Sequence, residues 1–168
     1  MPEARLERKL AIPMESAVQA LGSLLHAIAR QEGPWRGFAL HVGFGDLHLP
    51  DVGYVAVPIH LSVEKDADRP HAFAIAFASA HLPAAFPGLR GRMEVLPGSL
   101  GESALRLTGT YELPMPLFGK FFDTAFMPGV AERSLENFID EIAAACEAHV
   151  NRREADYARY HFYARPMR

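Results

Sequence analysis

Eight histidines are the first groups in this sequence that could do chemistry, at positions 26, 41, 48, 60, 71, 81, 149 and 161. A metal needs three or four convergent ligands at spacings set by local geometry. No His-x-x-x-His pair falls on a helical stretch, and no Cys-x-x-Cys exists. His41 and His60 take the outward parity of their strands, and His71 and His81 flank a strand at its opposite ends. The spacing therefore points to solvated histidines, with no metal and no other cofactor. His149 differs, because it follows Ile142 and Cys146 on an apolar helix face. It belongs either at the mouth of a cavity or near a helix C-terminus, where the dipole favours it.

Tyr111, Asp123 and His149 are the candidates for acid or orienting work, since acid–base catalysis needs a positioned titratable group. The plainer role for Asp123 is to cap backbone donors around the break at 126–129. Cys146 stands beside three alanines with no base in view, which makes it a small buried hydrophobe rather than a nucleophile. Asp46-x-His48 is no known catalytic unit, and Gly43-x-Gly45 lacks the third glycine and the helix of a phosphate loop.

These groups must be positioned by elements whose periods are legible. Leu6, Leu10 and Ile12 alternate loosely in a first strand, and Pro13 ends it. Val18, Leu21, Leu24, Leu25 and Ile28 recur at helical spacing, so 14–31 is a helix or a broken pair, stopped by Gly33-Pro34. The period then becomes two. Bulky apolar residues alternate over 38–44, 54–63, 71–80, 89–95 and 105–113, with turn chemistry at Asp51-Val52-Gly53, Asp68-Arg69-Pro70, Pro87-Gly88 and Pro97-Gly98. That is the pattern of an antiparallel sheet with one buried face. Its buried face takes the odd positions from 54 to 113 and the even ones of 38–44. Pro58 calls for a bulge or an edge where it sits. Leu135, Phe138, Ile139, Ile142 and Cys146 then mark a long helix over 128–149.

The segment LRLTGTYELPMPLFGKFFDTAFMPGVAERSLENFIDEIAAACE (105–147) resembles the last strand, proline exit and gripped helix of the START-like, or SRPBCC helix-grip, superfamily, which includes polyketide cyclases. Ile12-Pro13 before a helix, and Trp35 before the next strand, are similar too. The resemblance spans 5–150 and implies an α+β fold. In it, a curved antiparallel sheet of six or seven strands grips the long C-terminal helix, and a helical segment follows the first strand. Six strands are counted, so the family's seventh is absent or lies in 46–50. The resemblance also implies a cavity between sheet and helix. Its members include lipid carriers, hormone receptors, coenzyme Q-binding proteins and aromatic cyclases, so it implies no single activity.

The inward positions form the expected lining: Phe38, Leu40, Val57, Ile59, Leu61, Phe73, Ile75, Phe77, Met93, Leu107, Tyr111, Phe122, Phe126, Phe138 and Ile142. Apolar walls with few polar groups suit a small apolar ligand (a lipid, quinone or aromatic), carried without catalysis. The alternatives are a cyclase or dehydratase-type enzyme, or an interaction module that fills its own pocket. The length of 168 residues fits one domain, taken as 1–150, with a basic, aromatic helical extension over 151–168. Net charge of -3 gives no footprint for nucleic acid. No apolar run is long enough for membrane insertion, Met1–Leu10 carry no leader-like apolar stretch, and the lone cysteine suits a reducing, cytoplasmic setting. Ala72, Ala74, Ala76 and Ala78 form a smooth outer strip, expected to be covered by a homodimer contact or by the tail.

Overall fold

The computed structural model describes residues 1–35, 38–43, 54–80, 88–112 and 127–163. The chain runs β1 (Glu3–Leu10), α1 (Met14–Ala29), a 3-10 turn (Gly33–Trp35), β2 (Ala39–Gly43), β3 (Tyr54–Lys65), β4 (Ala72–Ser79), β5 (Gly88–Pro97), β6 (Ser103–Glu112) and α2 (Met127–Tyr163). The strands make one antiparallel sheet in the order β1-β6-β5-β4-β3-β2. This is the α+β grip of a sheet on a C-terminal helix that the resemblance implies. The stretch 46–50 lies outside the described residues.

Strand pairing carries side-chain rows across the sheet. Leu61, Phe77, Leu89 and Tyr111 form one inner row. Phe73, Met93 and Leu107 form another, continued by Leu6. The odd positions of β3 to β6 and the even positions of β2 face the helices, as parity predicts: Ile75 is buried while Ala74 and Ala78 are exposed. Because side chains alternate with a period of two, a slip of one residue would turn every row outward.

The expectation that the alanine strip is covered fails within the chain. Only Ala72 is fully buried, and Ala76 is half-buried. α2 lies on the opposite face of the sheet, so the extension as described, to Tyr163, does not cross the strip. That extension is continuous with the gripped helix: α2 runs unbroken for 37 residues, about 55 Å. The change at 150 is one of packing, since Val150 is buried and Asn151 to Glu154 are exposed.

Two helices fill the inner face. α1 buries Ala17, Ala20, Leu21, Leu24, Leu25 and Ile28, at the spacing of one helical stripe. It lies so close to the sheet that a Cβ on Gly22 would stand 3.0 Å from the Phe73 ring. α2 buries Leu135, Phe138, Ile139, Ile142 and Cys146, together with Ala131, Ser134, Ala143 and Val150.

Wrapping a sheet round a helix requires sharp local bending. Gly91 and Gly109 face each other across β5 and β6. A Cβ on Gly109 would lie 2.5 Å from the Arg90 carbonyl oxygen, and one on Gly91 only 2.2 Å from that of Thr108. Only residues without a side chain allow this approach, and paired glycines let a sheet coil tightly. Pro58 falls where β3 changes partners: residues up to 58 pair with β2, and those from 59 pair with β4. Its carbonyl accepts from Ala80 N at 2.8 Å, just past the end of β4. In an extended strand a residue's N and C=O point the same way. The missing N–H therefore falls where β4 has finished, the local edge that a proline requires.

α2 also bonds to both edge strands. Asn137 Nδ2 donates to the His41 carbonyl of β2 at 3.0 Å, and His41 Nδ1 bonds to the Glu141 carboxylate. On the other edge Arg8 of β1 pairs with Asp140, and the Ala11 N–H donates to Glu147 Oε1 at 2.6 Å.

Gly109→Ala should destabilise the protein by about 2 kcal/mol or more, because the new methyl meets backbone that cannot move aside. Ile75→Asp should prevent folding, whereas Arg92→Asp, which sets two acids together in place of the half-buried pair with Asp66, should cost about 2 kcal/mol and leave the protein folded. Urea unfolding of the three variants checks this, and equal tolerance at 75 and 92 would overturn the register.

Candidate functional site

The β2–β3, β4–β5 and β6–α2 connections all leave from one end of the sheet, and α1 packs across the other. The inner rows at the former end are Ile59 with the buried Ser79, and next to it Leu61, Phe77, Leu89 and Tyr111. Tyr111 is 1 % exposed. Burial, and secondly the Glu132 carboxylate, hold its phenol above the usual tyrosine range. At neutral pH it is therefore a protonated hydroxyl, able to donate a hydrogen bond and unable to act as a base.

Behind this row the aromatic rings meet. Phe138 of α2 lies 5.1 Å from Phe77 and edge-on to Phe38 at 6.1 Å, centroid to centroid. Phe38 in turn lies 6.1 Å from Trp35. Leu40, Val57, Ile59, Ile75, Phe73, Met93, Leu107 and Ile142 are all buried in the same apolar core, with Phe73 against α1. Phe122, Phe126 and Asp123 lie outside the described residues.

The three candidate polar groups are not all neighbours. Tyr111 stands near Glu132, whereas His149 lies 17 residues further along α2, about 26 Å away. His149 lines a separate cleft of about 120 Å³ between the helices, with Ser16, Gln19, Ala20, Val150, Arg153 and Glu154. Its Nε2 is buried without a hydrogen-bond partner among the described residues. His41 also departs from the solvated reading: it is bonded to Glu141 because the curl of the sheet brings the β2 edge to the helix. His26, His60 and His71 are exposed. Among the described residues no three His, Cys, Asp or Glu side chains are placed to hold a metal, and no helix is long and apolar enough to cross a membrane.

Sequence reasoning overlooked Glu132, Ser103 and Ser134. Glu132 reads as solvated on a helical wheel, and its nearness to Tyr111 depends on how α2 follows β6. Ser103 is buried and donates to the Ile12 carbonyl at 2.8 Å. Its odd position on β6 was the available signal. Ser134 is buried beside Leu135 and sits on the apolar stripe between Ala131 and Phe138.

No family model matches this chain, and no curated protein does. Solved structures do. The ZhuI aromatase/cyclase from Streptomyces sp. R1128 is 15% identical, with a TM-score of 0.54, over 89% of this chain and 95% of that one. Ara h 8.0201 is 9% identical, with a TM-score of 0.52, over 89% and 97%. A conserved protein from Geobacillus kaustophilus is 14% identical, with a TM-score of 0.50, over 86% and 95%. The fold is the helix-grip fold of these structures. At such identities the likeness concerns the fold alone.

In this helix-grip chain Cys146 is a packing residue of the gripped helix. It is fully buried, and burial, with Glu147 adding, pushes its thiol up to about 12. The unfolded thiol ionises near 9.0, so the folded state binds more protons above that pH. Stability should therefore hold below pH 9 and fall as pH rises toward 12. Cys146→Ala should lose about 1 kcal/mol at neutral pH and show a shallower alkaline decline. Denaturant midpoints measured across that range check it, and an unchanged slope would overturn the assignment.

Proposed function

We propose that this protein binds a small apolar molecule (a lipid, quinone or aromatic) between the sheet and α2 at the Tyr111 end, and carries it without chemistry. The observation that carries this reading is the apolar inner face. Across the row Leu61, Phe77, Leu89 and Tyr111, the phenol is the only polar side-chain group. Apolar walls with one or two placed polar groups are the usual make-up of a small-molecule site. A protonated Tyr111 would orient a ligand oxygen rather than abstract a proton. Leu40, Val57, Ile59, Phe38 and Phe138 would form the rest of the wall.

Two other readings rest on particular observations. The nearness of Glu132 to Tyr111 supports a cyclase or dehydratase-type enzyme in which the carboxylate takes a substrate proton while the neutral phenol holds a substrate oxygen. The direct contact of Phe138 with Phe77 supports a pocket filled by its own side chains.

Native mass spectrometry of the purified protein, followed by a thermal-shift panel of fatty acids, quinones and polycyclic aromatics, tests the proposal. Melting temperature should rise with excess of the apolar compounds. Tyr111→Phe should weaken a carbonyl-bearing ligand about tenfold, for one lost hydrogen bond, and leave a pure hydrocarbon unaffected. Stabilisation by nucleotides or metal ions alone would overturn the reading. Turnover of a bound compound would favour the enzyme, and no response to any compound would favour the filled module.

A further inference from the structure

The outer face of β3, β4 and β5 carries a groove of about 510 Å³. Ala74 and Ala76 of β4 form its floor, with Glu64 of β3 on one flank and Arg90 of β5 on the other. Both charged residues are exposed, and neither has an ion-pair partner among the described residues. The charges of this face next to the groove are matched within the chain. Arg92 meets Asp66 at 3.1 Å, Arg69 meets Glu94 at 3.8 Å, and Arg106 bridges Glu7 and Glu94. The groove thus holds one unmatched cation and one unmatched anion on opposite sides of a floor with little side-chain bulk.

We propose that this face receives a second copy of the chain in a two-fold dimer, with Glu64 of each copy against Arg90 of the other. The register fixes where the axis lies. Glu64 is level with Ala74, and Arg90 is level with Ala76. A two-fold axis in the contact plane, passing over β4 between those alanines, exchanges the two charged positions. Such an isologous contact is self-complementary, and it closes as a dimer. The charges select the partner, and the alanines let the second sheet approach. This contact leaves the inner face untouched, so it stands independently of the ligand reading.

Sedimentation velocity of the full chain over a concentration series tests it, with circular dichroism to confirm folding. The wild type should sediment as a dimer. Glu64→Lys and Arg90→Glu should each weaken dimerisation about tenfold or more, because each sets like charges together at two symmetric places. The double variant Glu64→Lys/Arg90→Glu should restore it to within about threefold of wild type, since the swapped pairs attract again. Ala76→Arg should abolish it. A monomeric wild type, a dimer indifferent to Ala76→Arg, or a double variant no better than either single one would overturn the proposal. Should Ala76→Arg fail to fold, the charge swap decides alone.

Discussion

An open sheet has two edges with unpaired backbone groups, and α2 lies between both of them. Its apolar stripe through Leu135, Phe138, Ile139, Ile142 and Cys146 faces the sheet. The polar positions beside that stripe face outward along its two borders. Asn137 and Glu141 reach β2, while Asp140 and Glu147 reach β1 and the turn after it. An exposed edge strand is a template for pairing with another chain, and covering it with a helix removes that hazard. The same contacts fix the rotation of α2. A turn of one residue, 100° in a helix of 3.6 residues per turn, would set acids against Phe77 and leave the β2 edge bare. The curl permitted by Gly91 and Gly109 is what brings the two edges close enough for one helix to hold both.

Much of this was legible from the residues because alternation in a sheet has one meaning. Phe73, Ile75 and Phe77 share a parity with alanines between them, so the buried face of β4 could be read without coordinates. The α2 stripe was legible for the same reason. What could not be read was the partner of each polar residue beside a stripe. Asp140, Glu141 and Glu147 look alike on a helical wheel, all suited to water. Their partners are about 100 residues or more distant in sequence. Only the curvature of the sheet decides that they meet Arg8, His41 and Ala11. His41 keeps 40% of its side chain exposed, and only its bond to Glu141 went unread, because outward parity implies solvent alone only when no edge is wrapped.

The candidate site was legible as composition and not as geometry. An inner face of branched and aromatic side chains follows from parity alone. That Tyr111 closes one row, and that His149 belongs to another cleft, follows from where α2 begins and how long it runs. Tyr111 and His149 both lie on buried-looking periodicities, which say nothing about position along the helix axis. About 26 Å of helix separates their surroundings.

The packing along that axis also bears on where any ligand could be held. Toward α1 the interior is occupied: Gly22 admits the Phe73 ring at contact distance, and Met93, Leu105 and Leu107 have no exposed surface. A molecule entering there would have to separate a helix from the sheet and lose the burial of whole side chains, at about 25 cal/mol per Å². Midway, Phe138 meets Phe77 and Phe38, and parting those rings forfeits about 0.5–1.5 kcal/mol for each aromatic pair as well as their burial. Tyr111 shares its row with Phe77, two strands away, and stands near Glu132, six residues before Phe138 on α2. A ligand held there would leave the clamp on both sheet edges and the α1 packing intact. Making room thus costs most at the α1 end, and the site proposed for a ligand at the Tyr111 row spares that packing.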